Sequence, residues 1–138
     1  MTQLLKTFSM IFAALMVVGC NQPRGPIEPN AVAFGNSRQI YADSYKLKEQ
    51  TNIDEPPRMT KDQFGLLHIM VPVRSTIDRP FTLQYRVTFF DRDHQVASQQ
   101  NWSDLAMNPN TPERIETASS GPAEDFEVDL RLPPGFSD

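Results

Sequence analysis

Three stretches of the chain alternate apolar and polar positions with a period of two. Leu67, Ile69, Val71 and Val73 alternate with His68, Met70, Pro72 and Arg74. Phe81, Leu83, Tyr85, Val87 and Phe89 alternate with Thr82, Gln84, Arg86, Thr88 and Phe90. Phe126, Val128, Leu130 and Leu132 alternate with Glu127, Asp129 and Arg131. Successive side chains of a strand point to opposite faces, so each stretch predicts a strand with one apolar and one largely polar face. That is the pattern of antiparallel sheets with one solvated side. Shorter strands are predicted over residues 38–46, 56–61, 94–100 and 112–118. A short helix is predicted over 43–52, where Tyr45 and Leu47 are followed by polar residues. Turn chemistry separates these elements at Asp78-Arg79-Pro80, Asp91-Arg92-Asp93-His94, Asn108–Pro112 and Ser119–Pro122. About seven short strands with turns at this spacing predict an all-β, two-sheet sandwich. Pro72 has no N–H to give to a ladder, so its strand is expected to be an edge or to carry a bulge there. Trp102, set among Gln99, Gln100, Asn101, Ser103 and Asp104, is expected in a surface connection that covers one end of the core.

A different pattern occupies the amino terminus. Lys6 precedes the apolar run Phe8–Val18, and Gly19-Cys20 closes it. A charged start, an apolar middle and a small residue before a cut site make a secretory signal. The apolar run is well short of the roughly 20 residues that a membrane span needs. Val17-Val18-Gly19-Cys20 also resembles the lipobox of bacterial lipoproteins. In that class the chain is cut before the cysteine, here between Gly19 and Cys20, after the sulfur has taken a diacylglyceryl group. The new amine is then acylated. A thiolate is the nucleophile that forms such a thioether, and two or more acyl chains hold a protein stably on a bilayer. The next residue is Asn21, not aspartate. By the same resemblance the protein goes to the outer membrane, facing the periplasm.

Residues 21–36 carry three prolines and two glycines. Such a segment extends at about 3.1 Å per residue and reaches roughly 40 to 50 Å. The expected organisation is a lipoprotein signal peptide at 1–19, acylated Cys20 and a flexible tether at 20–36, and a sandwich domain at 37–138. Residues 31–36 either continue the tether or pack along the domain through Val32 and Phe34.

About 119 residues after the cut suit one domain with a modest core. The net charge of -4 becomes about -5 when Lys6 is removed. A mildly acidic chain has no electrostatic footprint for nucleic acid or for anionic lipid headgroups. With its one cysteine acylated, the domain has no intramolecular disulfide, and packing supplies its stability.

The block from Arg58 to Leu132 resembles the YcfL family of small bacterial envelope lipoproteins, a domain of unknown function. The resemblance is carried by Arg58-Met59, Gly65-Leu66-Leu67, Val71–Thr76, Phe81–Arg86, Phe89-Phe90-Asp91, Trp102 and Asp125–Arg131. It implies an immunoglobulin-like antiparallel β-sandwich and an envelope address, with no established reaction. In some bacteria that family's gene lies beside one for a lipoprotein activator of a peptidoglycan synthase. The resemblance therefore points to a periplasmic envelope or cell-wall-synthesis protein as partner.

Catalytic signatures are thin. His68 falls on the polar face of its strand and His94 in a tight connection. Ser119-Ser120-Gly121 lacks a nucleophile-elbow pattern. Two histidines without a free cysteine do not make an ordinary closed zinc site. Asp91-Arg92-Asp93 begins like a calcium loop but lacks the downstream glycine and bidentate glutamate. Glu124-Asp125 form an acidic cluster with Glu127 and Asp129, and alternation sends the last two to a solvated face paired across strands with Arg114 or Arg131. Asn101-Trp102-Ser103 matches a glycosylation sequon that a bacterial lipoprotein does not ordinarily use. The expectation is a non-enzymatic protein without cofactor or metal. Its candidate binding face is formed by Arg74, Gln84, Arg86 and Thr88, projecting from two neighbouring strands toward a carbohydrate or peptide. Phe136, beyond the last strand, is a candidate docking tail.

Overall fold

The alternating stretches fold into two sheets packed face to face. The computed structural model describes residues 32–34 and 39–135; Gly19, Cys20 and Phe136 lie outside them. In chain order the elements are β1 (Val32–Ala33), β2 (Ile40–Ala42), α1 (Tyr45–Gln50), β3 (Thr51–Asn52), β4 (Arg58–Lys61) and β5 (Leu66–Ser75). They continue with β6 (Phe81–Phe90), β7 (Val96–Gln99), β8 (Ser103–Met107), β9 (Pro112–Pro122) and β10 (Asp125–Arg131).

The first sheet runs β1-β2-β10-β6, and the far edge of β6 is shared by β7 and β8. There β7 pairs with Thr88–Phe90 and β8 with Phe81–Tyr85. The second sheet is built on β5, with β9 along one edge and β3 and β4 in tandem along the other. The apolar halves of the alternating stretches meet between the sheets. Leu83, Val87 and Phe89 of β6 and Phe126, Val128 and Leu130 of β10 face Leu67, Ile69, Val71 and Val73 of β5, all of them buried. Ile40, Leu47, Met107 and Ile115 complete the core. Each such side chain contributes about 1.5–3 kcal/mol through burial, which is how a disulfide-free domain is held.

Helix α1 is shorter than the predicted span. Its N-cap Ser44 accepts a hydrogen bond from Leu47 N at 3.2 Å. Thr51, in extended conformation at its end, donates its hydroxyl to Leu47 O at 2.7 Å. One buried residue, Leu47, anchors it to the core.

The structure departs from the sequence pattern in three places and agrees with it at Pro72. The sandwich is not purely antiparallel, because β2 runs parallel to β10, with Ile40, Tyr41 and Ala42 opposite Val128, Asp129 and Leu130. Pro72 meets the expectation of an edge, though only locally, since β5 is paired on both sides elsewhere and on one side at this residue. It lies opposite Arg114 of β9, and on the other side it faces the gap between the residues paired with β3 and those paired with β4. The ladder is interrupted there, so one missing donor is tolerated. The domain also begins before residue 37, since β1 pairs with β2 and Phe34 is buried, its N–H donating to Ile40 O at 3.1 Å. Finally, Ser103–Met107 forms strand β8 where a connection was expected, with Met107 buried opposite Phe81.

Candidate functional site

Because Leu83, Val87 and Phe89 point into the core, Gln84 and Arg86 stand on the outer face of the first sheet. Antiparallel register sets Asp129 of β10 opposite Arg86, and Arg131 opposite Gln84. On the other side of β6, Asp104 of β8 lies opposite Gln84. These neighbours are joined. Arg86 donates from Nη2 to Asp129 Oδ2 at 3.1 Å, and Arg131 Nε donates to Gln84 Oε1 at 2.9 Å. Gln84 Nε2 in turn donates to Asp104 Oδ1 at 2.8 Å.

Trp102, between β7 and β8, lies against both guanidiniums. The Arg131 carbon Cζ is 3.8 Å from the ring centroid and that of Arg86 4.7 Å. A cation over an indole is stabilised by about 0.5–1 kcal/mol when exposed and about 2 when desolvated. Arg86 is only partly exposed, and its Nε is buried with no acceptor among the described residues. A stacked guanidinium is already ordered, so it loses little further freedom when its N–H fork takes a carboxylate, phosphate or carbonyl. The ledge thus offers an indole edge, two pre-oriented cations and the Gln84 and Asp104 side chains to one ligand.

The four residues expected to form one binding face do not. Strands β5 and β6 belong to different sheets. Gln84 and Arg86 remain together, whereas Thr88, two residues further on, is buried and accepts a hydrogen bond from Gln99 Nε2 at 2.9 Å. Arg74 lies on the second sheet and clasps Asp54 with two bonds, Nε to Oδ2 at 2.5 Å and Nη2 to Oδ1 at 2.9 Å. That bonding holds the Asp54 carboxyl below its ordinary range and raises the Arg74 guanidinium. Sequence reasoning missed Trp102 as the centre of the site because tryptophan there lies outside any alternating stretch. Asp129 and Arg131, by contrast, were visible on the polar side of the last one.

Other candidates are engaged in structural work. His68 Nε2 lies 3.1 Å from Asp62 Oδ2. The bond with His68 is the chief reason the Asp62 carboxyl lies below its usual range, aided by the N–H groups of Leu66 and Phe64. His94 holds a left-handed conformation (φ 58°) in the turn between β6 and β7. In that turn Asp91 Oδ1 accepts from Asp93 N at 2.8 Å and Gln95 N at 3.0 Å, so the carboxylate closes the turn. Ser119 accepts from Leu67 N and donates to Gly121 O. The acidic residues near the end pair with Lys61 (Glu124), Gln39 (Asp125) and Arg86 (Asp129), not with Arg114 or Arg131, and Glu127 is buried. Among the described residues no three His, Cys, Asp or Glu side chains converge as a metal site.

The fold is similar to two solved structures. The crystal structure of cj0090 from Campylobacter jejuni superposes with a TM-score of 0.59 at 18% identity, over 70% of this chain and 100% of that one. The crystal structure of a DUF1425 family member from Shewanella sp. pv-4 superposes with a TM-score of 0.53 at 16% identity, over 64% of this chain and 79% of that one. At such identities the likeness is one of fold. No curated protein matches the sequence. The model of the family described as protein of unknown function (DUF1425) matches residues 38–132, which spans most of both sheets and every residue of the Trp102 ledge, and the chain belongs to that family.

Proposed function

We propose that this protein is a YcfL-type envelope lipoprotein, acylated at Cys20 and held on the periplasmic face of the outer membrane. In this reading its sandwich is non-catalytic and binds an envelope protein or glycan through Trp102, Arg86 and Arg131. One observation carries the binding role: an indole contacted by two guanidiniums on the solvent side of a sheet, with Arg131 at 3.8 Å and Arg86 at 4.7 Å. Aromatic residues and arginine are the side chains on which binding energy concentrates. Support for a non-catalytic role comes from the placement of the two histidines, one on the second sheet and one in the β6–β7 turn of the first. The two imidazoles therefore do not act together in one site. The anchor is supported by Lys6, the apolar run that follows it and Gly19-Cys20, and the outer-membrane address by Asn21.

A photo-crosslinking residue at Ala106, exposed on the strand beside Gln84, tests the ledge in intact cells. Mass spectrometry is expected to recover one envelope component that disappears in an Arg86→Ala/Arg131→Ala variant. Equal background recovery from both proteins would overturn the binding role. The address is tested separately, by Cys20→Ser with membrane fractionation and mass measurement of the mature amino terminus. An unmodified thiol on the wild-type protein would overturn it.

A further inference from the structure

The outer face of the second sheet lies on the far side of the sandwich from Trp102. Buried Leu67, Ile69, Val71 and Val73 turn His68, Met70, Pro72 and Arg74 of β5 outward. Antiparallel register sets Arg58 of β4 and Glu116 of β9 level with Met70, one on each side. Arg114 is level with Pro72. On the other side of Pro72, where β3 and β4 leave their gap, the intervening loop brings Asp54 and Glu55. Two adjoining hollows of about 470 and 240 Å³ lie on this face and share Arg58 and Met70.

Charge on the face alternates and cancels. Met70 is flanked by Arg58 and Glu116, and Pro72 by Glu55 and Arg114 with the signs reversed. Further out, Arg74 is matched by Asp54 and His68 by Asp62. Arg58 meets Glu55 at 3.5 Å, but both side chains are largely exposed and such a pair contributes little. Arg114 and Glu116, both exposed, form no hydrogen bond or ion pair among the described residues. A balanced face draws in no charged ligand by net attraction. Opposite signs arranged crosswise around an apolar centre instead fit the same surface turned over.

We infer that this face pairs with a second copy of the chain, β9 stacked antiparallel on β9, so that Arg114 of each copy faces Glu116 of the other. The two-fold axis crosses the strands midway between the levels of Met70 and Pro72, and half a turn exchanges those levels. Met70 then packs on the partner's Pro72, its flexible thioether filling the hollow. Arg58 comes over the partner's Glu55. Stacked sheets keep their strand directions within about 30°, so the levels beside the axis stay matched. The face is three strands wide and four outward residues of β5 long. An interface of that extent belongs with those below about 1,200 Å² in total, the range of weak and transient association. Both Trp102 ledges stay uncovered on opposite sides of the dimer, which therefore presents two identical sites.

Sedimentation equilibrium of the purified full-length chain in a density-matched detergent provides the test. The wild type is expected to show a monomer–dimer equilibrium. Arg114→Glu and Glu116→Arg each set like charges at both contacts, and each is expected to weaken dimerisation by about tenfold or more. An equimolar mixture of the two variants restores opposite signs at both contacts, as does Arg114→Glu/Glu116→Arg in one chain. Both are expected to dimerise as the wild type does, which also shows that neither single variant is misfolded. A wild type that stays monomeric, a dimer indifferent to both single variants, or single variants that remain monomeric when mixed would overturn the pairing.

Discussion

Removing the Trp102 indole leaves Arg86 and Arg131 without the ring that both contact. Two partly shielded cation–π contacts are worth about 1–3 kcal/mol together. Trp102→Ala is therefore expected to lower the free energy of urea unfolding by that amount. Trp102→Phe, which keeps a ring face but a weaker one, is expected to lower it by about half as much. A loss below a few tenths of a kcal/mol in the alanine variant would show the ring to be a bystander. The Arg74–Asp54 clasp makes a pH-dependent prediction. The Asp54 carboxyl lies below its ordinary 3.8 because the Arg74 guanidinium bonds and attracts its charged form. A carboxyl lowered by folding stabilises the fold fully above its unfolded value, and that contribution disappears as pH falls through the folded one. Arg74→Gln is thus expected to move the Asp54 carboxyl up in a carbon-detected NMR titration, and to leave less stability to be lost at the acid end. An unmoved titration would dismiss the clasp. The partners in both cases come from connections that fold back onto a separate strand, so neither Asp54 for Arg74 nor Trp102 for Arg86 was legible from local pattern.

Strand β4 is the element most exposed to misassociation. All four residues of Arg58–Lys61 are exposed on an edge of the second sheet, with Met59 50% and nearby Phe64 70% accessible. An edge of this kind is a template for another chain, and charge on it is the usual protection. Here Arg58 and Lys61 supply that charge, paired with Glu55 and Glu124. Arg58→Val/Lys61→Val is expected to raise light scattering and shift size-exclusion elution toward larger species, while Val96→Ala on exposed β7 changes stability by less than about 0.5 kcal/mol. A monodisperse double variant would show that backbone geometry alone guards the edge. The long strands β5, β6 and β10 were legible because each carries at least three core residues in strict alternation. Strand β8 was not, since only Leu105 and Met107 mark it among polar neighbours. Pro72 was legible in part: it announced a missing donor and a local edge in β5, but not that the edge is a break between β3 and β4.

At the scale of the whole molecule, alternation told which face of each strand is inward and left open which strands are neighbours. The β5–β6 pair illustrates this, adjacent in sequence yet placed in opposite sheets. Strand β10 illustrates it further, since it lies between β2 and β6 and brings Phe126, Val128 and Leu130 to the middle of the core. Leu130→Ala is expected to cost about 2–5 kcal/mol in denaturant unfolding, since the surrounding strands collapse only partly into the cavity. A chain ending at residue 124 loses the strand that joins β2 to β6 and is expected to show no near-ultraviolet dichroism and no slowly exchanging amides. A cooperative unfolding transition in that truncated chain would refute this role for β10. Pairings so distant in sequence form slowly, because a long loop must close before any contact rewards it. A polypeptide that acquires its central plank only when residues 125–131 arrive remains a pliable thread until then. Until that strand seats, such a thread lies open to proteolysis along both half-built layers.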